Sequence, residues 1–188
     1  MVFFFSDNGG PISVNGSRND PLRGAKGDVF EGGMRVPFVV KWPAKLKPGT
    51  VFERPVSSLD VFATSLSVAG APMPNDRTFD SVDVIPYLTG EKEGVPHERL
   101  YWRTTRQLWA IRSGDLKLVR GAAPEDALFD LNSDIGESRD LRESQSSEAS
   151  RLAAELERWN EELMAPAFPG AGGKKKPKKT GVKAKGGQ

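Results

Sequence analysis

The chain has no cysteine and a single histidine in 188 residues. Without cysteine there is no disulfide framework, no thiolate metal site and no cysteine nucleophile within these residues. No apolar run approaches the roughly 20 residues of a membrane span. The run Val2-Phe3-Phe4-Phe5 is too short for a signal-peptide core, and no basic residue precedes it. Residues 174–188 lack any acid yet hold seven lysines, a run the formal net charge of +2 conceals. The 20 remaining basic residues face all 25 acidic ones, so residues 1–173 carry −5. What is present, 37% hydrophobic and 28% charged residues, is the composition of a modest globular domain or a core with a small appended subdomain.

Residues 2–5 form a short continuous apolar run, which predicts a strand covered on both faces, as in a parallel sheet. Residues 9–35 are rich in Gly, Asn, Asp and Arg without a clear period and predict a long functional loop. Residues 38–42 read as a second strand closed by Pro43. Ser57 and Asp60 give a capping-box-like start to a helix with Leu59, Phe62, Ala63 and Leu66 at helical spacing and Gly70 at its end. Residues 83–88, with Pro86 inside, predict a turn of helix, and the polar stretch 90–96 marks a boundary. Short β-like segments then follow at 100–102, 108–112, 116–120 and 127–131, with Ser113-Gly114-Asp115 as a hairpin turn. Ala149, Leu152, Ala153, Leu156, Trp159 and Leu163 give one apolar helix face, stopped before Pro166. The division expected is an α/β part over 1–95, an antiparallel sheet and helix over 96–166, and a lysine-rich disordered tail over 167–188.

Ser6-Asp7-Asn8-Gly9-Gly10 ends the first strand. Asn-Gly favours positive φ and suits a hairpin turn, but the following Pro11-Ile12-Ser13-Val14 makes a poor return strand. Ligands in open α/β sheets bind beyond the carboxyl ends of strands. There, an adjacent Asp7 and Asn8 offer one anionic and one neutral oxygen donor, the chemistry hard cations such as Ca²⁺ or Mg²⁺ take. Both readings stay open on the residues alone. Further on, glycines 24, 27, 32 and 33 permit close backbone approach, and Lys26 stands between two of them with Arg23 and Arg35 nearby. A lysine so placed can neutralise a bound oxyanion; a solvated loop whose glycines serve turns is the alternative. The order of a P-loop is absent.

Together SDNGG and PLRGAKGDVFEGGMRVPFVVKWP resemble the sulfatase family, of arylsulfatase type, in the alkaline-phosphatase-like superfamily. AIRSGDLKLV and ALFDLNSDIGESRDL resemble its C-terminal pattern of a basic hairpin followed by Leu-Tyr-Asp-Leu-x-x-Asp-Pro-x-Glu-x-x-Asn-Leu, with Phe129, Ile135 and Asp140 as departures. The resemblance spans roughly residues 2–165. It implies the C-terminal part of an alkaline-phosphatase-like α/β core, followed by a small antiparallel sheet plus helix subdomain. It also implies that Asp7 and Asn8 ligate a divalent cation, usually Ca²⁺, and that Lys26 contacts the sulfate ester. Glu31, Gly32, Gly33, Arg35 and Pro37 match the motif and are assigned structural roles.

Family catalysis rests on a formylglycine made within a Cys/Ser-x-Pro-x-Arg motif, and no such motif occurs in these residues. The resemblance therefore implies a C-terminal fragment of a sulfuric ester hydrolase, inactive alone. Its substrate class is a sulfated glycan or aryl sulfate, and its location periplasmic or secreted. The alternative is a non-catalytic remnant or polyanion-binding module with a basic tail. His97 matches no motif and reads as a surface or packing histidine, while Trp102 and Trp109 read as core rather than carbohydrate platforms. Asn15-Gly16-Ser17 is a glycosylation triplet of a kind frequent by chance.

Overall fold

The computed structural model describes residues 1–104 and 107–165. Strand β1 (Val2–Phe5) pairs with β2 (Phe38–Lys41). The pair is antiparallel, Val2 opposite Lys41 and Phe5 opposite Phe38, which corrects the parallel, doubly covered strand expected from the apolar run. A parallel pair needs a crossover element. The connection here holds only two single-turn helices, α1 (Ile12–Asn15) and α2 (Glu31–Met34), and closes where Ser6 N donates to Pro37 O at 3.3 Å. Burial alternates along β1 rather than covering both faces: Phe4 is 72% exposed, while Phe3 and Phe5 are half-buried. Phe5 stacks on Phe38 with ring centroids 5.2 Å apart.

Helix α3 (Asp60–Val68) starts as the Ser57/Asp60 pattern predicts, through one half of a capping box: Asp60 Oδ2 accepts from Ser57 N at 2.7 Å. Asp60 is fully buried, and it also accepts from Val82 N at 2.9 Å and meets His97 Nε2 at 2.8 Å. The single histidine is thus a packing residue that fastens the segment before the second sheet to α3. Thr64 Oγ1 accepts from Val84 N at 3.1 Å, one residue ahead of the short helix α4 (Ile85–Thr89).

The second sheet is an antiparallel meander, β3 (Leu100–Arg103), β4 (Trp109–Ser113), β5 (Leu116–Arg120) and β6 (Ala127–Asp130), in sequence order. Gly114, at φ +59°, begins the two-residue turn between β4 and β5, a position that needs glycine. Helix α5 (Ser146–Glu161) lays Ala149, Leu152 and Leu156 on Ile111, Leu118 and Leu128 of one sheet face. It ends before Leu163, which is 36% exposed and no part of its apolar face. On the opposite face Ala110, Val119 and Phe129 enclose Val29 from the long loop. Burial of each large aliphatic side chain contributes about 1.5–3 kcal/mol, so Val29 anchors that loop to the second sheet. Trp102 and Trp109 pack against these two cores, as expected. The expected disordered tail, 167–188, lies outside the described residues.

Candidate functional site

Asp7 and Asn8 follow β1 immediately. Asp7 is exposed and Asn8 half-buried, and both line a cleft of about 640 Å³ that also meets Arg35, Arg112, Tyr101 and Trp102. The glycine-rich loop is bound against them. Gly9 N donates to Gly33 O at 3.0 Å, and a Cβ on Gly9 would overlap Gly32 O, so the approach of the two loops requires glycine. Lys26 N donates to Gly10 O at 3.3 Å, so the structure brings the Lys26 backbone within two residues of Asn8. The Lys26 side chain is exposed and not among the cleft-lining groups; no carboxylate of the described residues forms an ion pair with it.

Asn19, to which the sequence reading gave no role, ties the two loops together. Its Oδ1 accepts from Gly10 N at 3.0 Å, and its Nδ2 donates to Gly10 O and Gly24 O, both at 3.1 Å. One amide satisfies both polar groups of Gly10 while holding the turn that leads to Lys26. Its only sequence signal was an Asn between the two glycine clusters.

A second unforeseen feature is a buried charge cluster under α2. Lys117 Nζ donates to Glu31 Oε1 at 2.7 Å and lies 2.9 Å from Glu137 Oε1, and all three side chains are at most 3% exposed. The Glu137 contact is an ion pair rather than an aligned hydrogen bond. Glu31 Oε2 accepts no hydrogen bond and faces Arg112 at 3.8 Å and Arg35 at 3.9 Å. Burial pushes the Glu137 carboxyl above its ordinary value of 4.5, against the opposing pull of the Lys117 charge and the Glu31 N–H bond. The structural role expected for Glu31 is met here. Lys117 could have been found from its strand: it shares a face with Val119, where alternation places core residues.

Two adjacent oxygen donors suit a hard cation, but a full shell takes roughly 6–8 oxygens. Among the described residues no group of three or more His, Asp or Glu side chains could hold a metal. Asp7 and Asn8 fit as part of such a shell and not as the whole of it.

The arrangement is that of the C-terminal part of an alkaline-phosphatase-like α/β core with its sheet-and-helix subdomain. The crystal structure of Ps i-CgsB, solved in complex with a k-i-k-neocarrahexaose, superposes on it with a TM-score of 0.80 at 31% identity. That match covers 88% of this chain and 37% of the other. The family described as N-sulphoglucosamine sulphohydrolase, C-terminal, matches residues 25–164, and the chain belongs to the sulfatase family. Steryl-sulfatase of Mus musculus is 40% identical over 119 residues, 60% of this chain and 19% of its own length. Arylsulfatase A of Bos taurus is 34% identical over 173 residues, 77% of this chain and 34% of its own length. The chain therefore spans about a fifth to a third of these curated relatives.

Proposed function

We propose that these residues form the C-terminal portion of a sulfuric ester hydrolase, in which Asp7 and Asn8 hold a divalent cation, Ca²⁺ by family, and Lys26 contacts the sulfate. The observation that carries this reading is the bonding of the Lys26 loop to the Asp7-Asn8 loop, through Gly9 N to Gly33 O at 3.0 Å and through Asn19 to both. In this reading residues 1–95 belong to the catalytic core and residues 96–166 to the subdomain that supports it.

A bound cation would supply Lewis-acid neutralisation of charge on the ester oxygens. The chain's own groups do the rest. Asp7 and Asn8 present their oxygens at the strand end, and Asn19 keeps them in register with the lysine loop. The Lys26 ammonium stabilises charge that grows on the sulfate as the ester bond breaks. Arg35 and Arg112 at the cleft suit an anionic substrate, a sulfated glycan or an aryl sulfate. A periplasmic or secreted location belongs to the same proposal. No helix of the described residues is long and apolar enough to cross a membrane.

The nucleophile is the missing part. With no cysteine and no Ser-x-Pro-x-Arg in the sequence, the 188-residue chain is expected to hydrolyse no chromogenic aryl sulfate above a buffer control. Combined with an upstream sulfatase half that carries the formylglycine motif, it is expected to support turnover. Asp7→Ala should then abolish that turnover and Lys26→Ala reduce it by about 10²-fold or more. Turnover by the isolated chain, or full activity of Asp7→Ala in the combined enzyme, refutes the reading.

A further inference from the structure

Glu137 has no part in the chemistry above, yet two ties to the glycine-rich loop of the site and one to β5 converge on it. Its Oε2 accepts from Glu31 N at 2.6 Å, its carbonyl accepts from Arg23 Nη1 at 2.8 Å, and its Oε1 lies 2.9 Å from Lys117 Nζ. These residues stand 106, 114 and 20 positions away in the chain, so only the packing of the long loop on the second sheet brings them together.

The turn that carries Glu137 is itself held fast. Asp134 Oδ2 accepts from Ser138 N and Arg139 N, both at 2.8 Å, and Asp134 Oδ1 accepts from Ser138 Oγ at 2.9 Å. Glu137 N donates to Asp134 O at 3.1 Å, and Glu137 takes φ +51°, which a non-glycine residue adopts only when its surroundings impose it. The side chain is aimed inward and fully buried.

From Glu137 the contacts run on to the proposed metal and sulfate groups. Glu31 opens the single turn whose Gly33 O accepts from Gly9 N, next to Asn8. Arg23 O accepts from Gly32 N at 2.6 Å, and Arg23 precedes Lys26 by three residues; its guanidinium lies 4.0 Å above the Phe30 ring. We propose that Glu137 is a positioning residue: its carboxylate, with Lys117 as counter-charge, sets the loop turn that fixes Asn8 and Lys26. The assignment of those two residues rests on the sulfatase reading; the ordering of the loops does not.

Charge balance alone is a competing account of the cluster, and the two accounts separate cleanly. A buried ion pair replaced by apolar residues of similar volume is often neutral for stability. Removing the acceptor of the Glu31 amide is different, because a buried donor is left without a partner. The full chain is compared with two variants of equal charge, Glu137→Gln and Glu137→Leu, both of which leave Lys117 paired with Glu31. The Gln side chain retains an oxygen for the Glu31 amide and the Leu side chain does not. Leu156→Ala, on the far face of the sheet, serves as a destabilised control.

Hydrogen exchange is read by mass spectrometry over peptides covering residues 6–10 and 29–35, alongside thermal unfolding. The Gln variant should keep wild-type protection in both peptides. The Leu variant should exchange about ten-fold faster there, and only there. Leu156→Ala should lower the melting temperature without that selectivity. Equal protection in the Gln and Leu variants overturns the proposal, as does selective loss in Leu156→Ala. Selective loss in the Leu variant, with full activity of Asp7→Ala in the combined enzyme, upholds the positioning role and refutes the metal assignment instead.

Discussion

Glu137 shows how one side chain can cost stability while fixing geometry. Its carboxyl is pushed above the ordinary 4.5 by burial, with Lys117 and the Glu31 amide pulling the other way. Arg112 and Arg35 add positive charge at 3.8 and 3.9 Å from Glu31. A raised folded-state value means that folding favours the protonated acid. Its contribution is therefore complete below about 4.5 and is lost as pH rises through the higher folded value. Glu137→Gln mimics the protonated form at every pH. The melting temperature of the wild type relative to this variant should accordingly fall across that window and level off above it. Thermal unfolding from pH 4 to pH 7 checks this, and a difference that is flat or rises with pH contradicts it.

Among the elements, α5 has the simplest energetics. Leu152 and Leu156 are fully buried against Ile111, Leu118 and Leu128, while Arg151 lies on the outer side, paired with Glu148 at 2.6 Å and Glu155 at 2.7 Å. Leu156→Ala should destabilise by about 2–5 kcal/mol, because the sheet beneath cannot collapse into the cavity. Arg151→Ala should cost roughly 0.5 kcal/mol or less, since exposed ion pairs are screened and costly in side-chain entropy. Denaturant titration of both variants separates the two; comparable losses would mean that the helix is held by its charges. In β1 and β2 the balance is reversed. Val2, Phe4 and Val39 are 60%, 72% and 54% exposed, leaving one apolar sheet face open to solvent.

At the scale of the whole molecule the charge is divided. Residues 1–173 carry −5, and the seven lysines of 174–188 reverse the sign to +2 overall. Binding to a polyanion through such a segment is a matter of charge density and is weakened by salt. Removing residues 174–188 should therefore move elution from heparin to markedly lower salt, measured against the full chain on the same column. Unchanged elution would place the polyanion-binding surface on the body, where Arg35 and Arg112 line the cleft.

Local pattern alone determined the four-strand meander, its Gly114 turn, α5 and the start of α3. Each depends on residues a few positions apart, through alternation, helical spacing or a cap. The motifs also singled out Asp7, Asn8 and Lys26 as candidates, since glycine-flanked polar residues carry their signal in neighbouring positions. The pairing sense of β1 was not legible, because four consecutive apolar residues show no alternation and the partner strand lies 32 residues beyond. Nor were the burial of Glu137, the carboxylate partners of Lys117, the Asp60–His97 contact or the Asn19 clamp. A charged or amide side chain is placed inside only when distant segments supply its partners. Those partners exist here because Val29 draws the long loop onto the second sheet, a hydrophobic contact between residues some ninety positions apart that no local pattern encodes.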